Sequence, residues 1–185
     1  MVRHGETAAN AEGLLQGRSD RGLTERGRAQ AAALARVLGL EPGSVATGAA
    51  VVSSPLRRAR ETAEAFGMPV RLDERWIELD YGEFEGLGAA ELRTSLQRGW
   101  NDPEWAPPGG ESLAAVTRRV AAACEELAAG PSAAANVIVV THVSPIKAAA
   151  AWALGTGPEV AWRMHVDVAS LTVIAVREGG VPLLT

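Results

Sequence analysis

Residues 137–140 read Val-Ile-Val-Val and run straight into Thr141-His142. A strand with one wet face alternates apolar and polar side chains, so an unbroken β-branched run predicts a strand covered on both faces. Such a strand needs helices above and below it, and the flanking sequence supplies them. Thr24 is placed to cap a helix reaching about Leu38, with Leu34, Val37 and Leu38 on one stripe and Gly39 as its stop. Residues 49–53 form a short apolar strand that hands over through Ser54-Pro55 to a helix over 57–66. The Pro- and Gly-rich stretch 102–110 reads as an irregular loop, after which Ser112 caps a long helix carrying Leu113, Val116, Val120, Cys124 and Leu127. Gly130 and Pro131 are expected to end that helix. Ser144-Pro145 opens another toward Leu154, and a last β-branched strand is expected over about 170–176. Strands alternating with helices predict an α/β fold: a three-layer α/β/α sandwich with a mostly parallel central sheet and right-handed crossovers.

At 185 residues the chain reads as a single domain, 1–185, without repeats or an internal linker. Arg3-His4-Gly5 leaves only Met1 and Val2 for any strand before it, so the first strand is expected to be truncated. A formal charge of -4 argues against a dedicated nucleic-acid or anionic-membrane binder. Cys124 is the only cysteine, which excludes an internal disulfide and a cysteine-based zinc cage and suits a reducing cytoplasm. No apolar run reaches the ~20 residues of a membrane span, and no signal-peptide core opens the sequence. Oligomeric state is not legible.

In open α/β sheets ligands gather beyond the carboxyl ends of the strands, where helix N-termini present N–H groups. His4 and His142 both fall at such ends, and a third end supplies Ser53-Ser54-Pro55-Leu56-Arg57-Arg58-Ala59. Imidazoles beside guanidinium forks suit a dianionic phosphoryl group. Zinc is the rival guest, yet neighbouring arginines oppose a dication, and the carboxylate clusters of magnesium sites are missing from these ends. An imidazole that attacks phosphorus needs a proton donor for the departing oxygen. Glu78, in a loop rich in aromatic residues and glycine, is the best candidate, with Asp80, Glu83 and Glu85 as competitors that spacing does not separate.

The sequence resembles the histidine phosphatase superfamily, also called phosphoglycerate mutase-like, over nearly its whole length. The resemblance rests on Arg3-His4-Gly5-Glu6-Thr7 with Asn10; Leu23-Thr24 with Gly27 and Gln30; and Ser53-Ser54-Pro55-Leu56 with Arg58-Ala59 and Thr62-Ala63. It continues through Glu78 with Tyr81-Gly82 and Glu85-Gly86, Pro108-Gly109-Gly110-Glu111-Ser112, and Thr141-His142. It implies that His4 is the nucleophile and becomes phosphohistidine, that Arg3, Arg58 and His142 hold the phosphoryl oxygens with Asn10 as a further contact, and that Glu78 protonates the leaving alcohol and then activates water. It implies no metal and no cofactor. Many relatives carry two glycines after the second histidine; Val143-Ser144-Pro145-Ile146-Lys147 stands here instead, similar to actinobacterial acid and α-ribazole phosphatase domains. The Val143 N–H remains able to bind phosphate.

The implied function is hydrolysis of a small phosphorylated metabolite, with acceptor specificity in residues 101–110 and 76–86. Two alternatives stand beside it. One is a cofactor-dependent phosphoglycerate mutase, which usually has a longer insert near the Glu78 loop. The other is a non-catalytic phosphate-ligand binder. Blander readings attach to single residues. A lone histidine near a chain end is ordinarily a surface group, His142 alone is a satisfied strand-end histidine, and Glu78 alone is an ion-pair partner for Arg75. Arg57 and Arg60 read as solvent-facing or rim groups, His165 as structural or rim, Trp100, Trp105, Trp152 and Trp162 as core or loop anchors, and Cys124 as inert packing.

Overall fold

The computed structural model describes residues 1–40, 48–88, 90–96, 98–129, 136–177 and 180–185, and for residues 93, 100 and 101 the backbone alone. Its elements in chain order are β1 (Val2–Arg3), α1 (Ala8–Glu12), α2 (Glu25–Val37), β2 (Ala49–Ser53), α3 (Arg57–Glu64), β3 (Val70–Leu72), α4 (Arg93–Leu96), α5 (Arg98–Asn101), α6 (Leu113–Ala129), β4 (Asn136–Thr141), α7 (Val143–Leu154), β5 (Ile174–Val176) and β6 (Pro182–Leu184). Short 3-10 turns lie at Glu74–Trp76, Gly82–Phe84 and Pro158–Arg163. The expected helix stop at Gly130-Pro131 and the side chain of Trp100 lie outside the described residues.

The first four strands pair in parallel in the order β1-β4-β2-β3. The pleat distributes their side chains between two cores. Val140 and Val51 face α2 and α3 together with Val2, Leu34, Ala59, Ala63 and Phe66. Their chain neighbours Val139 and Val52 face α6 and α7 with Trp76, Val116, Val120, Ala148 and Ala149. That is the three-layer sandwich the β-branched run requires. Each fully buried aliphatic side chain contributes about 1.5–3 kcal/mol, and β4 serves both layers. Alanines fill α7 (Ala148, Ala149, Ala150 and Ala151 are all buried), which lets it lie close to α6 and the sheet.

Capping follows the sequence. Thr24 Oγ1 accepts from Gly27 N at 3.0 Å, and Ser112 Oγ accepts from Ala115 N at 3.1 Å. Two expectations change. The last strand does not run unbroken over 170–176: Leu171 bridges Val2 antiparallel, and only Ile174–Val176 is a strand, paired with β6. Here the chain follows β1 instead, with Ala169 N donating to His4 O (3.0 Å), Arg3 N to Ser170 O (3.1 Å) and Thr172 N to Met1 O (2.9 Å). Short as it is, β1 is therefore held on both edges, by β4 and by this segment. The second change is that α7 starts at Val143 with His142 as its N-cap, one residue before the Ser144-Pro145 opening. No helix among the described residues is long and apolar enough to cross a membrane.

Candidate active site

Three adjacent parallel strands, β1, β4 and β2, end on the same rim, and each delivers one part of the site. His4 follows β1, His142 follows β4, and Ser54 follows β2 just ahead of α3, whose second residue is Arg58. His4, Ser54, Arg58 and His142 are all buried.

His4 Nδ1 lies 2.7 Å from the Gly5 carbonyl oxygen. A carbonyl only accepts, so Nδ1 carries the proton and Nε2 presents its lone pair. Arg58 Nε donates between the two rings, at 3.3 Å to His4 Nε2 and 3.2 Å to His142 Nδ1. His142 Nδ1 is then the acceptor, and its Nε2–H donates to Ser54 Oγ at 2.7 Å. The ring centroids are 5.1 Å apart. Burial, then Arg58, then Arg3 hold His4 well below the ordinary imidazole range. Burial and Arg58 do the same to His142. Both rings are neutral at neutral pH, which is the state a nitrogen nucleophile requires.

Arg58 is fixed on its far side by main-chain carbonyls: Nη1 donates to Ser19 O (2.9 Å), and Nη2 donates to Gly17 O (2.8 Å) and Gln16 O (3.4 Å). The same loop turns its N–H groups to Glu85, whose carboxylate accepts from Gly17 N (3.0 and 2.9 Å), Arg18 N (3.0 Å) and Ser19 Oγ (2.6 Å). One loop thus joins a carboxylate to a guanidinium through its peptide groups. Burial lowers Arg58 to about 10, so it stays cationic at neutral pH. Arg3 donates from Nη1 to Val166 O at 2.7 Å, while its buried Nε has no partner.

Glu78 is separated from its competitors by position. Its Oε1 accepts from Leu79 N (2.8 Å) and Ser144 N (3.1 Å), and its Oε2 from Val143 N (3.1 Å). The carboxylate therefore caps the N-terminus of α7 beside the second histidine. Asp80 closes a turn onto Gly82 N (2.9 Å), Glu85 clamps the 17–19 loop, and Glu83 is exposed. Arg75 pairs with Asp73 and Glu126 rather than Glu78. The Val143 N–H is occupied by Glu78, so an incoming anion reaches it only by exchange. Asn10 is the N3 residue of α1, its Oδ1 accepting from Thr7 N at 3.1 Å in a capping box. Arg57 is exposed and bonded to Glu61, Arg60 is exposed, and His165 is exposed beside Asp167.

The structure thus brings His4, Arg58 and His142 into direct contact and sets Glu78 with Val143 next to them. Ser54 and Glu85, read from sequence as part of a strand-end motif and as a competing proton donor, serve here as the His142 partner and the clamp of the 17–19 loop, while the carbonyls of Gln16, Gly17 and Ser19 left no signal in residue type. Among the described residues no three His, Cys, Asp or Glu side chains cluster as metal ligands.

A family model described as "Histidine phosphatase superfamily (branch 1)" matches residues 1–185. A bifunctional protein of Mycobacterium tuberculosis is 40% identical over 181 residues, covering 94% of this chain and 48% of that protein. The chain thus spans about half the length of the first curated relatives it matches. Phosphoserine phosphatase 1 of Hydrogenobacter thermophilus is 36% identical over 187 residues, covering 96% of this chain and 86% of its own. Among solved structures, a mycobacterial glucosyl-3-phosphoglycerate phosphatase in complex with VO3 superposes with a TM-score of 0.82 at 32% identity, covering 100% of this chain and 95% of that one.

Proposed function

Because the chain belongs to the histidine phosphatase superfamily, we propose that it hydrolyses a phosphomonoester of a small metabolite through a phosphohistidine at His4, without a metal or cofactor. The observation that carries the reading is the His4 imidazole itself. It is neutral, its proton is fixed on Gly5 O, and its Nε2 lone pair faces a cationic enclosure in which Arg3 retains a buried, unpartnered Nε–H. An enclosure of cationic donors around an imidazole lone pair that is held only by the long Arg58 Nε contact suits a phosphoryl group.

The steps balance as follows. Phosphoryl oxygens take donors from Arg3, Arg58 and the Val143 N–H, with the Asn10 amide and His142 as further contacts. His142 donates once its proton moves to Nδ1, a tautomer that Ser54 accommodates by donating its hydroxyl hydrogen to Nε2. Glu78, exchanged off the α7 N-terminus by a monoanionic ester, takes up the ester's proton and lies beside the ester oxygen. His4 Nε2 bonds to phosphorus, the P–O ester bond breaks, and Glu78 gives its proton to the departing oxygen. Water then attacks the phosphohistidine, returning a proton to Glu78 as the P–N bond breaks and phosphate leaves.

The relatives named for phosphoserine and glucosyl-3-phosphoglycerate support a small phosphorylated substrate. The acidic net charge supports a partner other than nucleic acid or membrane, and the buried free thiol of Cys124 supports a cytoplasmic setting. Residues 1–185 form one catalytic domain in this reading. The test is His4→Ala on an aryl phosphate, together with rapid alkaline denaturation of enzyme exposed to labelled substrate, which preserves an acid-labile P–N bond. The variant loses about 10³-fold or more of the rate and all acid-labile label. Undiminished phosphate release from the variant overturns the mechanism.

A further inference from the structure

Beside the site lies a small cavity of about 100 Å³, whose walls include Leu79, Tyr81, Trp105, Leu113 and Trp162. Its floor is the first turn of α7: Val143 and Ser144, whose N–H groups hold Glu78, and then Lys147. The cavity thus shares with the site the Val143–Ser144 turn that carries Glu78, the proposed proton donor. Its volume suits a fragment of a few heavy atoms.

Lys147 is the only lysine in the chain, against seventeen arginines among the 18 basic residues. It is half-buried, and no hydrogen-bond or ion-pair partner is found for its ammonium among the described residues. Glu111, the carboxylate in the same wall, is already held by Arg119 and Arg18. A partly desolvated ammonium on apolar walls is a standing cost, relieved in part by the Glu78 charge and further by an anion brought from outside. Burial lowers the Lys147 pKa, with Glu78 opposing that shift and Arg3 adding to it.

We propose that Lys147 is a specificity-determining residue that pairs with a carboxylate on the alcohol portion of the substrate, so that the preferred phosphomonoesters are small phosphorylated carboxylic acids. Apolar walls fit the carbon chain, and the ammonium fits its acidic end. The proposal rests on the phosphatase reading above.

The test compares 3-phosphoglycerate with glycerol 3-phosphate, which differ only in a carboxylate against a hydroxymethyl group, and scores the ratio of their kcat/KM values. Wild-type enzyme is expected to prefer 3-phosphoglycerate. Lys147→Met is expected to lower the ratio by about tenfold or more, and Lys147→Arg to retain part of it. The ratio cancels any loss common to both esters, and the melting temperature of Lys147→Met, which sheds an unpaired charge, is expected not to fall. A wild-type enzyme that does not prefer the carboxylate, or a ratio unmoved by Lys147→Met, overturns the assignment of Lys147 alone. Absence of turnover of both esters and of an aryl phosphate overturns the phosphatase reading and this inference with it.

Discussion

Gly27 sits in the first turn of α2, where general helix propensity favours alanine by about 1 kcal/mol. Here the sign should reverse. A Cβ on Gly27 would lie 2.1 Å from the Glu6 carbonyl oxygen and 2.9 Å from Glu6 N, both main-chain atoms, and a Cβ on Gly5 would lie 2.4 Å from Gly27 O. The loop that carries His4 is thus laid directly on the helix backbone. To restore ordinary separation the loop must retreat by about 1 Å, an overpacking cost of about 1–3 kcal/mol. Retreat also stretches the bonds that tie Glu6 down: Thr24 N to Glu6 O (2.9 Å), Glu6 N to Gln30 Oε1 (2.9 Å) and Thr24 Oγ1 to Glu6 Oε1 (2.9 Å). At about 1 kcal/mol for each of two lost, less the propensity gain, Gly27→Ala should cost about 2–4 kcal/mol. His4 lies two residues from Glu6, and a displacement of about 1 Å at the proposed nucleophile is expected to cost about 10²-fold in rate. Urea unfolding and kcat/KM on an aryl phosphate measure both effects. Gly39→Ala is the control: φ is +66° and, among the described residues, nothing lies within 4 Å of its Cβ, so it should lose about 1 kcal/mol and no activity. A Gly27→Ala enzyme that is more stable than wild type and equally active would refute the reasoning.

Two further outcomes follow from the titratable groups around the site. Glu85→Ala strips the acceptor from the N–H groups of Gly17 and Arg18 and from Ser19 Oγ, and should destabilise by about 2–4 kcal/mol while lowering kcat/KM, because the same loop holds Arg58; a large stability loss with kcat/KM intact would detach the loop from the site. Stability should also fall as pH drops from 6 to 5. Folded His4 and His142 stay neutral, held low first by burial and then by Arg58, while their unfolded counterparts take up protons near pH 6.5, so acid favours the unfolded chain by up to about 1.4 kcal/mol per pH unit for each ring. Urea midpoints of wild type and His4→Gln over that interval check the sign and the size: the variant should lose about half of the histidine contribution, and an identical pH slope would contradict it.

The layering was legible because Val139 and Val140 are both apolar and both β-branched, which leaves no polar face for β4 to turn to solvent. The rim was legible because strand ends carry ligands, and His4, Arg58 and His142 all sit at or just after one. Glu78 could be proposed but not chosen by spacing, since Asp80, Glu83 and Glu85 share its loop; only the fold shows that one carboxylate reaches the α7 N-terminus while another clamps a distant loop. Gln30 appeared as one more matching residue, and its task, accepting from Glu6 N, depends on a contact across 24 positions. The carbonyl cradle of Arg58 left no trace in residue type, because main-chain groups accept regardless of side chain. The expected strand over 170–176 failed for a related reason: propensity does not reveal that Ala169 adopts φ +53° and sends the next residues along β1.

These contacts also explain why cations, which ordinarily oppose positive charge on a nucleophile, can assist this one. Before the substrate arrives, burial and then Arg58 and Arg3 disfavour protonation of His4, so the ring keeps its lone pair at Nε2. When a dianion enters, its oxygens take up the two guanidinium charges, and the penalty on a cationic ring falls at the moment the proposed attack creates one. The Nδ1–H, already donating to Gly5 O at 2.7 Å, then becomes a charge-assisted donor and strengthens as positive charge develops on the imidazole. Burial and then the two arginines thus keep the ring neutral in the ground state, and the Gly5 carbonyl, which favours positive charge on it, supports the proposed phosphorylated ring once the anion is present.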